Sequence, residues 1–563
     1  MKIFLVFTTA LFLSFTAIAQ EDTTNNITKV EYKEYRNGKL NENSNLSFIF
    51  KNEIAYLSKS NDKIQSFIDF KNHQNIDVIH YKNSDYKTTT SFNNLLKPIY
   101  LDQTETILGY QCSKAEFSYF SNKIEVWYTN KSDVKGSPYK KYLPSKSALV
   151  LKIVINGNRE IVASKIVKNS ELTGAYYSIE SSKEISEPEF EEFKIKSRYT
   201  TLSVFSDELI NFDPSIKTTS IEDFNNKTYR FSNGSVILKR VKLPNSIKKN
   251  AQVYATLTNS SNGDAYDRTG TVFMIPVNDE KQNMLNGFLK GVDELPKLID
   301  NKGGVYQGVI SDEKYNSPIE LMRFFTSFGI GHFNNLRVIN NYPWRKEVVY
   351  KQDVSALIPT NQNEVWIGVF IGNYDKGGHK VSLDFDIYPS FEENEIGNRW
   401  IQPIFNTVNI LEMSGQNYGR LFKNDTLKVT VTIPENIKNK KLLFTSTGHG
   451  GWGGGDEFNQ KLNEVYVDGK LVYSVIPWRT DCATYRLSNP ASGNFGNGQS
   501  SSDFSRSNWC PGTLTPPYII PLSNLEPGKH IIEVVIKQGD DEGSSFNHWG
   551  VSGVLIGDEN NLD

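Results

Sequence analysis

A glycine-rich run at residues 447–458 carries side chains that could do acid–base chemistry. It reads TGHGGWGGGDEF, and Asp456 and Glu457 follow directly on its glycines. A segment so poor in side chains cannot contribute to a hydrophobic core, but it lets a bulky substrate approach a carboxylate closely. The residues alone favour an ordinary exposed position for Glu457, and a catalytic role is the alternative.

Other chemistries find little support in the sequence. A phosphate-binding loop needs a lysine after its glycines and a helix behind it, whereas this run has no such lysine and leads into a strand-like segment. A serine triad would need a G-x-S-x-G elbow, which is absent. The acidic turn at 539–542 is interpreted as a solvated hairpin tip, with a calcium site as the alternative.

The histidines also argue against a metal enzyme. They form neither H-x-H nor H-E-x-x-H, the patterns expected of a copper monooxygenase or a zinc hydrolase. They lie singly along the chain, at His73, His80, His332, His379, His449, His530 and His548. We therefore expect no metal. Of the catalytic chemistries considered, acid–base catalysis by carboxylates is the one that remains.

Composition and the N-terminus predict an exported, multidomain protein. The 563 residues exceed what one core can organise, and 62 basic against 64 acidic residues exclude a nucleic-acid partner. Residues 1–19 read as a signal peptide, with Lys2, an apolar run and an Ala-Ile-Ala cleavage site. A membrane anchor is the alternative, but the run is short for a bilayer. We expect secretion or periplasmic export and no membrane association.

Three cysteines fit an oxidising compartment. Cys482 and Cys510 lie in one loop-rich stretch and are the natural disulfide pair, which leaves Cys112 as the unpaired third cysteine. A zinc site is not expected, because no CxxC spacing is present.

Most of the chain alternates polar and apolar residues with period two, which predicts half-buried strands. Examples are LKIVING, KIEVWYT, LKVTVTIP, KVSLDFDIYP and HIIEVVIK. Recurrent Asn-Gly and Asp-Gly turns favour antiparallel sandwiches over parallel α/β layers. One helix is predicted at 283–295, ended by Pro296.

Three segments are predicted after residues 1–19. A β-rich unit spans 20–195 and closes on SSKEISEPEFEEFKIKSR, which we interpret as a linker. A second unit spans 200–390. A third spans 391–563 and holds the glycine run and the cysteine pair.

Six stretches in the last two segments resemble a known family. They are, in chain order, SSNGDAYDRTGTVFM, ELMRFFTSFGIG, KVSLDFDIYP, NRWIQPIFNTVNILEMSGQNYG, STGHGGWGGGDEFNQKLNEVYVDG and SNPASGNFGNGQSSSDFSRSNWCPG. In this order they resemble the bacterial peptide-N-glycosidase F family over about residues 200–558. The resemblance implies an all-β fold of two side-by-side eight-stranded antiparallel jelly-roll sandwiches, here preceded by an additional β-rich N-terminal domain.

The resemblance also implies an activity. Family members hydrolyse the amide between asparagine and the first N-acetylglucosamine of an N-glycan, which converts asparagine to aspartate and releases a glycosylamine. N-glycoproteins and glycopeptides are then the substrates. Water is the co-substrate, no cofactor is needed, and the chain is expected to be a monomer.

The family's motifs fall on specific residues of this chain. The resemblance implies that Asp267, in Tyr266-Asp267-Arg268, is the principal catalytic acid/base and that Glu457 organises a bridging water. Because these acids lie in different segments, the cleft is expected between the two sandwiches. The alignment further implies His449 and Tyr374 at the cleft and the disulfide Cys482–Cys510. Arg268 and Arg506 are expected to hydrogen-bond substrate or orient carboxylates, and Trp452 and Trp509 are candidates for substrate binding. For the two tryptophans, core packing is favoured, and stacking on sugar faces is the alternative.

The chain departs from the family pattern in two respects. Gly372 stands where the family has a further glutamate, so that carboxylate is expected to be lost. Disulfides that flank both catalytic motifs in the family are absent, so rigidity is expected from glycine turns and backbone hydrogen bonds.

The first segment resembles a different secreted family, named for its GLPGLI motif. The stretches ILGYQCSKAEF, IEVWYT and GSPYKKYLPSKSALVLKI carry this resemblance, with LPSK in place of the motif. We expect an accessory role for this unit.

Two hypotheses from different classes arise from these residues. The first is a secreted N-glycan amidase, and the second is a non-catalytic glycan-binding or adhesin protein on the same scaffold. The presence together of Asp267, Arg268, Glu457 and Arg506 favours the enzyme, because binding alone does not require that set.

Overall fold

The computed structural model describes residues 27–58, 63–171, 176–222, 226–249, 251–277, 281–390, 398–451 and 454–559. The predicted signal peptide and Trp452 lie outside these described residues. The chain divides into two compact units, Met1–Arg198 and Tyr199–Asp563. Within the described ranges, no helix combines the length and hydrophobicity that crossing a bilayer requires.

The first unit is built on one large sheet. Its elements are β1 (Thr28–Arg36), β2 (Lys39–Leu40), β3 (Ser47–Lys51), β4 (Ile54–Leu57), β5 (Ile64–Asp69), β6 (Gln74–Tyr81), β7 (Ser84–Ser91), β8 (Ile99–Ile107), β9 (Tyr110–Tyr119), β10 (Asn122–Thr129), β11 (Leu149–Ile155), β12 (Arg159–Lys168), β13 (Lys183–Glu184) and α1 (Glu187–Lys196). The sheet order is β13-β7-β6-β5-β4-β3-β1-β12-β11-β10-β9-β8, with β2 paired to β1.

The period-two pattern places one face of this sheet in a core. Along β10, Ile124, Val126 and Tyr128 are buried on the same face. Cys112 packs into the same core as a free cysteine. Burial raises the pKa of its thiol to about 11, so it stays protonated and unreactive at neutral pH.

The stretch interpreted as a linker forms a helix, and that interpretation is wrong. Ser186 caps α1, and Glu189 completes a capping box with it. Phe193 packs on Tyr81 and Tyr86 of the sheet, with ring centroids 4.7 and 4.9 Å apart. The S-x-x-E signal is present in the sequence but is obscured by the high charge of the segment.

The second unit contains the remaining elements. They are β14 (Thr200–Ile210), β15 (Tyr229–Phe231), β16 (Val236–Lys242), β17 (Gln252–Ser261), β18 (Thr269–Pro276), β19 (Gln282–Asn283), α2 (Met284–Lys290), β20 (Lys297–Ile299), β21 (Val305–Gln307), β22 (Tyr315–Asn316), β23 (Ile319–Phe325), β24 (Val348–Asp353), β25 (Glu364–Ile371), β26 (His379–Tyr388), β27 (Arg399–Asn406), β28 (Leu427–Ile433), β29 (Ile437–His449), β30 (Asn463–Val467), β31 (Lys470–Val475), β32 (Leu514–Thr515), β33 (Tyr518–Pro521), β34 (Gly528–Ile536) and β35 (His548–Glu559). The predicted helix is shorter than expected, because Gly291 at φ 107° ends it.

Four sheets of this unit form two jelly-roll sandwiches, which confirms the predicted fold class. The first sandwich pairs β14-β26-β17-β24 with β15-β16-β25-β18-β23-β32, and the second pairs β27-β35-β29-β33 with β28-β34-β30-β31. The second has the expected eight strands, and the first gains short edge strands β15 and β32. Strand β32 belongs in sequence to the third segment but pairs with β23 of the first sandwich, so it ties the two sandwiches together.

A buried ion pair also joins the sandwiches. Arg323 on β23 donates two hydrogen bonds to Glu320, at 2.6 and 2.8 Å. It donates two more to Thr447 and to the carbonyl of Gly550 in the second sandwich, both at 2.9 Å. Because every one of these groups is buried and bonded, the network fixes how the two sandwiches face each other.

Candidate active site

Asp267 lies in the loop between β17 and β18, and a neighbouring carboxylate holds this loop in place. Asp264 is 1% exposed and accepts hydrogen bonds from the backbone N–H of Tyr266 at 3.0 Å and from Arg268 Nε at 2.8 Å. The Arg268 backbone is bonded to Thr326 through both its N–H and its carbonyl. The side chain of Asp267 is therefore presented by a closed, hydrogen-bonded loop.

Asp264 is ionised in this setting. Burial opposes its charge, but the hydrogen bonds from Arg268 and the nearby ring of His379, whose Nε2 lies 3.7 Å away, outweigh burial and lower the pKa of Asp264 to about 2. Arg268 is thus committed to this carboxylate, and it positions the loop instead of lining the cleft.

Glu457 follows the glycine run, and the buried neighbour Asp456 holds it. Asp456 is 0% exposed and accepts hydrogen bonds from Trp549 Nε1 at 2.8 Å and from the Gly539 N–H at 3.0 Å. The Glu457 carbonyl accepts from the Ser507 N–H at 2.9 Å. One acid of the pair therefore anchors the loop, while the next points into the cleft.

The glycines of the run are required by backbone packing. A Cβ on Gly450, at φ 95°, would lie 1.9 Å from the carbonyl oxygen of Phe546, and one on Gly451, at φ 75°, would lie 2.2 Å from Gly455 Cα. The run folds back on itself where no side chain fits. Gly450 and Gly451 also line the cleft, so the same geometry leaves its wall open.

Arg506 joins the two predicted catalytic acids. Its Nη1 contacts Asp267 Oδ2 at 3.1 Å and also contacts Glu457 Oε1. Its Nη2 donates to the carbonyl of Ser501 at 2.7 Å. The guanidinium is 1% exposed, and it lies 4.4 Å from the ring of Trp509. The three charged groups therefore meet at the base of the cleft.

The disulfide Cys482–Cys510 closes the loop that carries Arg506, as predicted. Ser507 donates through its hydroxyl to the carbonyl of Asp456 at 2.5 Å. The Arg506 loop is thus bonded directly to the Glu457 loop.

These groups line a cleft of about 630 Å³ between the two sandwiches. Its walls include aromatic side chains that the sequence analysis did not select, namely Tyr266, Phe328, Phe458 and Phe495. Tyr266 is 62% exposed at the mouth, and Phe458 lies 5.1 Å from Arg506. Exposed aromatic faces beside polar groups suit a sugar ring. The position of Tyr266 next to Asp267 was a signal available in the sequence.

Burial raises the pKa values of both cleft carboxyls. The pKa of Asp267 rises to about 6 because its side chain is 15% exposed, and Arg506 partly offsets this effect. The pKa of Glu457 rises to about 7 because of burial and the nearby charge of Asp267, again against the effect of Arg506. Two acids share one cation, so they titrate as a pair and hold one proton between them near neutral pH.

The raised pKa predicts a pH-dependent stability gain for Glu457→Gln. The free carboxyl has a pKa of 4.5 and the folded one about 7, so the folded state holds the proton more tightly. Wild-type stability therefore falls as pH rises through this window, by up to about 3 kcal/mol. The glutamine of the variant does not titrate, so the variant does not lose this stability as pH rises. We expect it to unfold at a higher temperature than wild type at pH 8 and at a similar temperature at pH 4.5.

Calorimetry at several pH values measures this difference. The exposed Glu526→Gln serves as the matched control and is expected to show no pH-dependent gain. A Glu457→Gln protein less stable than wild type at pH 8 would contradict the prediction.

Two residues predicted to bind substrate lie in the interior. Trp509 is 4% exposed, stacks on Phe325 with centroids 4.4 Å apart and donates through Nε1 to the Gly448 carbonyl at 3.0 Å. His449 is 7% exposed and contacts Thr447 Oγ1 at 2.9 Å. Burial lowers the pKa of His449 well below its usual range, so the imidazole is neutral. Neither residue lines the cleft: Trp509 packs against Arg506, and His449 packs on Trp509 with ring centroids 5.4 Å apart.

Tyr374 lies apart from the cleft acids, in a cluster with a carboxylate that sequence reasoning missed. Its hydroxyl contacts Glu412 and the hydroxyl of Tyr418, the latter at 2.6 Å, and its ring lies 5.2 Å from Arg268. A Cβ on Gly372 would lie 2.8 Å from Glu412 Oε2. The second sandwich thus places a carboxylate against Gly372, although the glutamate expected at that position of the sequence is missing.

A candidate metal site is not apparent among the described residues. None of them forms a group of three or more histidine, cysteine, aspartate or glutamate side chains that could hold an ion. In the acidic turn at 539–542, Asp541 pairs with Arg420 at 2.6 Å and Glu542 accepts from the Gly454 N–H at 3.1 Å. These carboxylates are bonded within the protein.

Three family models match the chain. Residues 201–387 match the N-terminal part of peptide-N-glycosidase F, residues 417–556 match its C-terminal part, and residues 30–187 match an N-glycanase N-terminal domain. No protein of the curated set is significantly similar.

Solved structures are similar over nearly the whole length. Two structures of PNGF-II, from different space groups, are 41% and 40% identical, with TM-scores of 0.82 and 0.79. The matches cover 95% and 96% of this chain, and 100% and 99% of those chains. PNGase F from Flavobacterium meningosepticum, described as a glycosylasparaginase, is 15% identical with a TM-score of 0.43 over 64% of this chain and 96% of its own. A similarity this distant carries no functional argument.

Proposed function

The chain belongs to the peptide-N-glycosidase F family, and on this premise we propose that it hydrolyses the amide bond between asparagine and the first N-acetylglucosamine of N-glycoproteins. The products are an aspartate in the polypeptide and the glycan as a glycosylamine. One observation supports this function best. Asp267 and Glu457, from different sandwiches, meet at one buried arginine in an open cleft.

The chemistry requires a proton acceptor and a proton donor. An amide is a poor electrophile, so water must be activated as it attacks and the leaving amine must receive a proton. We assign Asp267 as the primary acid/base that contacts the amide and the first sugar, and Glu457 as the group that orients the attacking water. With pKa values of about 6 and 7, the pair offers one carboxylate and one carboxyl near neutral pH.

Arg506 is assigned the electrostatic part of the reaction. Its guanidinium is fixed by Ser501 and by Trp509, so its charge does not have to reorganise during the reaction. A preorganised cation in a site of restricted exposure stabilises developing negative charge more strongly than one in water. Tyr266 and Phe458 are assigned to sugar faces, and Arg268 to positioning the Asp267 loop.

A mass-spectrometric assay tests the activity. A denatured N-glycoprotein is incubated with the enzyme, and we expect glycan release with a mass gain of about 1 Da at the asparagine, from replacement of an amide by a carboxyl group. Binding without release would favour the glycan-binding alternative. Cleavage between the two N-acetylglucosamines would indicate an endoglycosidase, and either result would overturn the amidase proposal.

Export and the role of the first unit are further parts of the proposal. The Cys482–Cys510 disulfide supports an oxidising compartment outside the cytoplasm. The match of residues 30–187 to an N-glycanase N-terminal domain supports an accessory role for the first unit. The monomeric state stays a prediction.

A further inference from the structure

A second cavity of about 530 Å³ opens in the second unit, and the catalytic assignments do not use it. Its lining includes the partly exposed rings of Tyr418 and Phe546, with centroids 5.0 Å apart. It also includes the exposed amides of Asn417 and Asn424. Amides both donate and accept hydrogen bonds, and aromatic rings provide apolar faces.

Charges in and around this cavity are compensated. Arg420 pairs with Asp541 at 2.6 Å, and Lys423 pairs with Asp540 at 3.2 Å. The carboxylate of Asp300 accepts hydrogen bonds from two backbone N–H groups of its own turn, both at 2.8 Å. Lys302 also lines the cavity, and with it three basic and three acidic side chains leave no net charge to attract an ion. Rings and amides without net charge suit a neutral, polyhydroxylated ligand.

The cavity adjoins the catalytic cleft through one chain segment. Ser545 lines the cleft, and the next residue, Phe546, lines the second cavity. The carbonyl of Phe546 packs so closely against Gly450 of the cleft wall that a Cβ there would lie 1.9 Å from it. Consecutive residues of one chain segment therefore line the two cavities.

A second link runs through the tyrosine pair. The ring of Tyr418 lines the second cavity, and its hydroxyl contacts the hydroxyl of Tyr374 at 2.6 Å. The ring of Tyr374 lies 5.2 Å from the guanidinium of Arg268, which is next to Asp267 in the chain. Tyr374 therefore connects the second cavity with the loop that carries Asp267.

We propose that this second cavity is a distal carbohydrate subsite that binds neutral hexose residues of the glycan beyond the two N-acetylglucosamines attached to asparagine. The inference rests on the proposed amidase function. The subsite contributes binding energy remote from the reacting bond, and so determines which glycans are preferred.

A pair of glycopeptide substrates tests the subsite. Both share one peptide, and one carries two N-acetylglucosamines while the other carries a complete oligomannose glycan. In the double variant Asn417→Ala/Asn424→Ala, we expect the ratio of kcat/KM for the long over the short glycan to fall about fivefold, mainly through KM. The matched control is Asn436→Ala, whose amide bonds to Glu559 outside both cavities, and it should leave the ratio unchanged.

A direct binding measurement separates this inference from the activity. Saturation-transfer NMR with branched mannotriose should show binding to the wild type and a loss of signal in the double variant, with thermal unfolding as the check of folding. An unchanged substrate ratio, or no mannotriose binding by the wild type, overturns the subsite while glycan release still supports the amidase. The converse outcome is that the wild type binds mannotriose and the double variant does not, while the wild type releases no glycan. That result supports the subsite and overturns the amidase proposal.

Discussion

Asp267→Asn is expected to lower kcat/KM for glycopeptides by about 10³- to 10⁴-fold, the range for loss of a positioned acid/base group. The amide keeps the shape of the side chain and its contact with Arg506, but it cannot accept a proton from water. KM should change little, because the cleft and its aromatic walls stay intact. The expected defect is therefore in the chemical step.

The fold of this variant should be retained. Replacing a carboxyl whose pKa is raised to about 6 removes a buried negative charge, so the free energy of unfolding at pH 8 should equal or exceed that of the wild type. Single-turnover mass spectrometry and calorimetry on the same samples measure both quantities. An Asp267→Asn enzyme within tenfold of wild-type kcat/KM would overturn the assignment of Asp267.

The wild-type pH profile offers an independent check of the same residue. Because Asp267 must be ionised to act as a base, log kcat/KM should decline with unit slope below about pH 6. Because the two carboxyls titrate together, the pKa read from this decline in kcat/KM describes the pair and not one carboxyl alone.

Arg506→Met is expected to impair both stability and activity. It leaves two carboxyls of 15% and 18% exposure without their shared cation, at a cost of about 3–5 kcal/mol in the free energy of unfolding at pH 8. Loss of the fixed positive charge should lower kcat about 10²- to 10³-fold. Both pKa values should rise further, because Arg506 lowers each of them in the wild type.

The pH dependence distinguishes this effect from a general packing defect. At pH 5 both carboxyls of the variant are protonated, so most of the lost stability should return, whereas a packing defect would persist. Arg506→Lys is the matched control. Lysine keeps the positive charge, but its single ammonium group cannot bond to Ser501 and to both acids at once as the planar guanidinium does, so intermediate activity is expected. Equal destabilisation of Arg506→Met at pH 5 and pH 8 would contradict the electrostatic explanation.

Local patterns in the sequence predict much of the fold correctly. Strict alternation identifies strands such as β26 and β28, because burying one face of a sheet requires a period of two. Order and spacing of the motifs lead to the family and to Asp267, Glu457 and Arg506. The helix at α1 was missed, although its capping box was present, because its charge suggested a solvated linker.

Other features depend on contacts that no local pattern encodes. The sequence leaves both core packing and sugar stacking open for Trp509, and the structure buries it against Arg506. Gly372 suggests a lost carboxylate, but Glu412 from the second sandwich lies against it. The acids Asp264 and Asp456 appear unremarkable in the sequence, yet they hold the two loops that carry Asp267 and Glu457.

The sequence by itself therefore determined the strands and, through its resemblance to the family, the sandwich fold, and it selected the candidate acids Asp267 and Glu457. The tertiary structure decided which acids are buried together, which arginine they share and which aromatic rings face the cleft. The physical reason is that a pKa or a cleft depends on burial and on neighbours from distant parts of the chain. Asp267 and Glu457 acquire their raised pKa values where two sandwiches meet at Arg506.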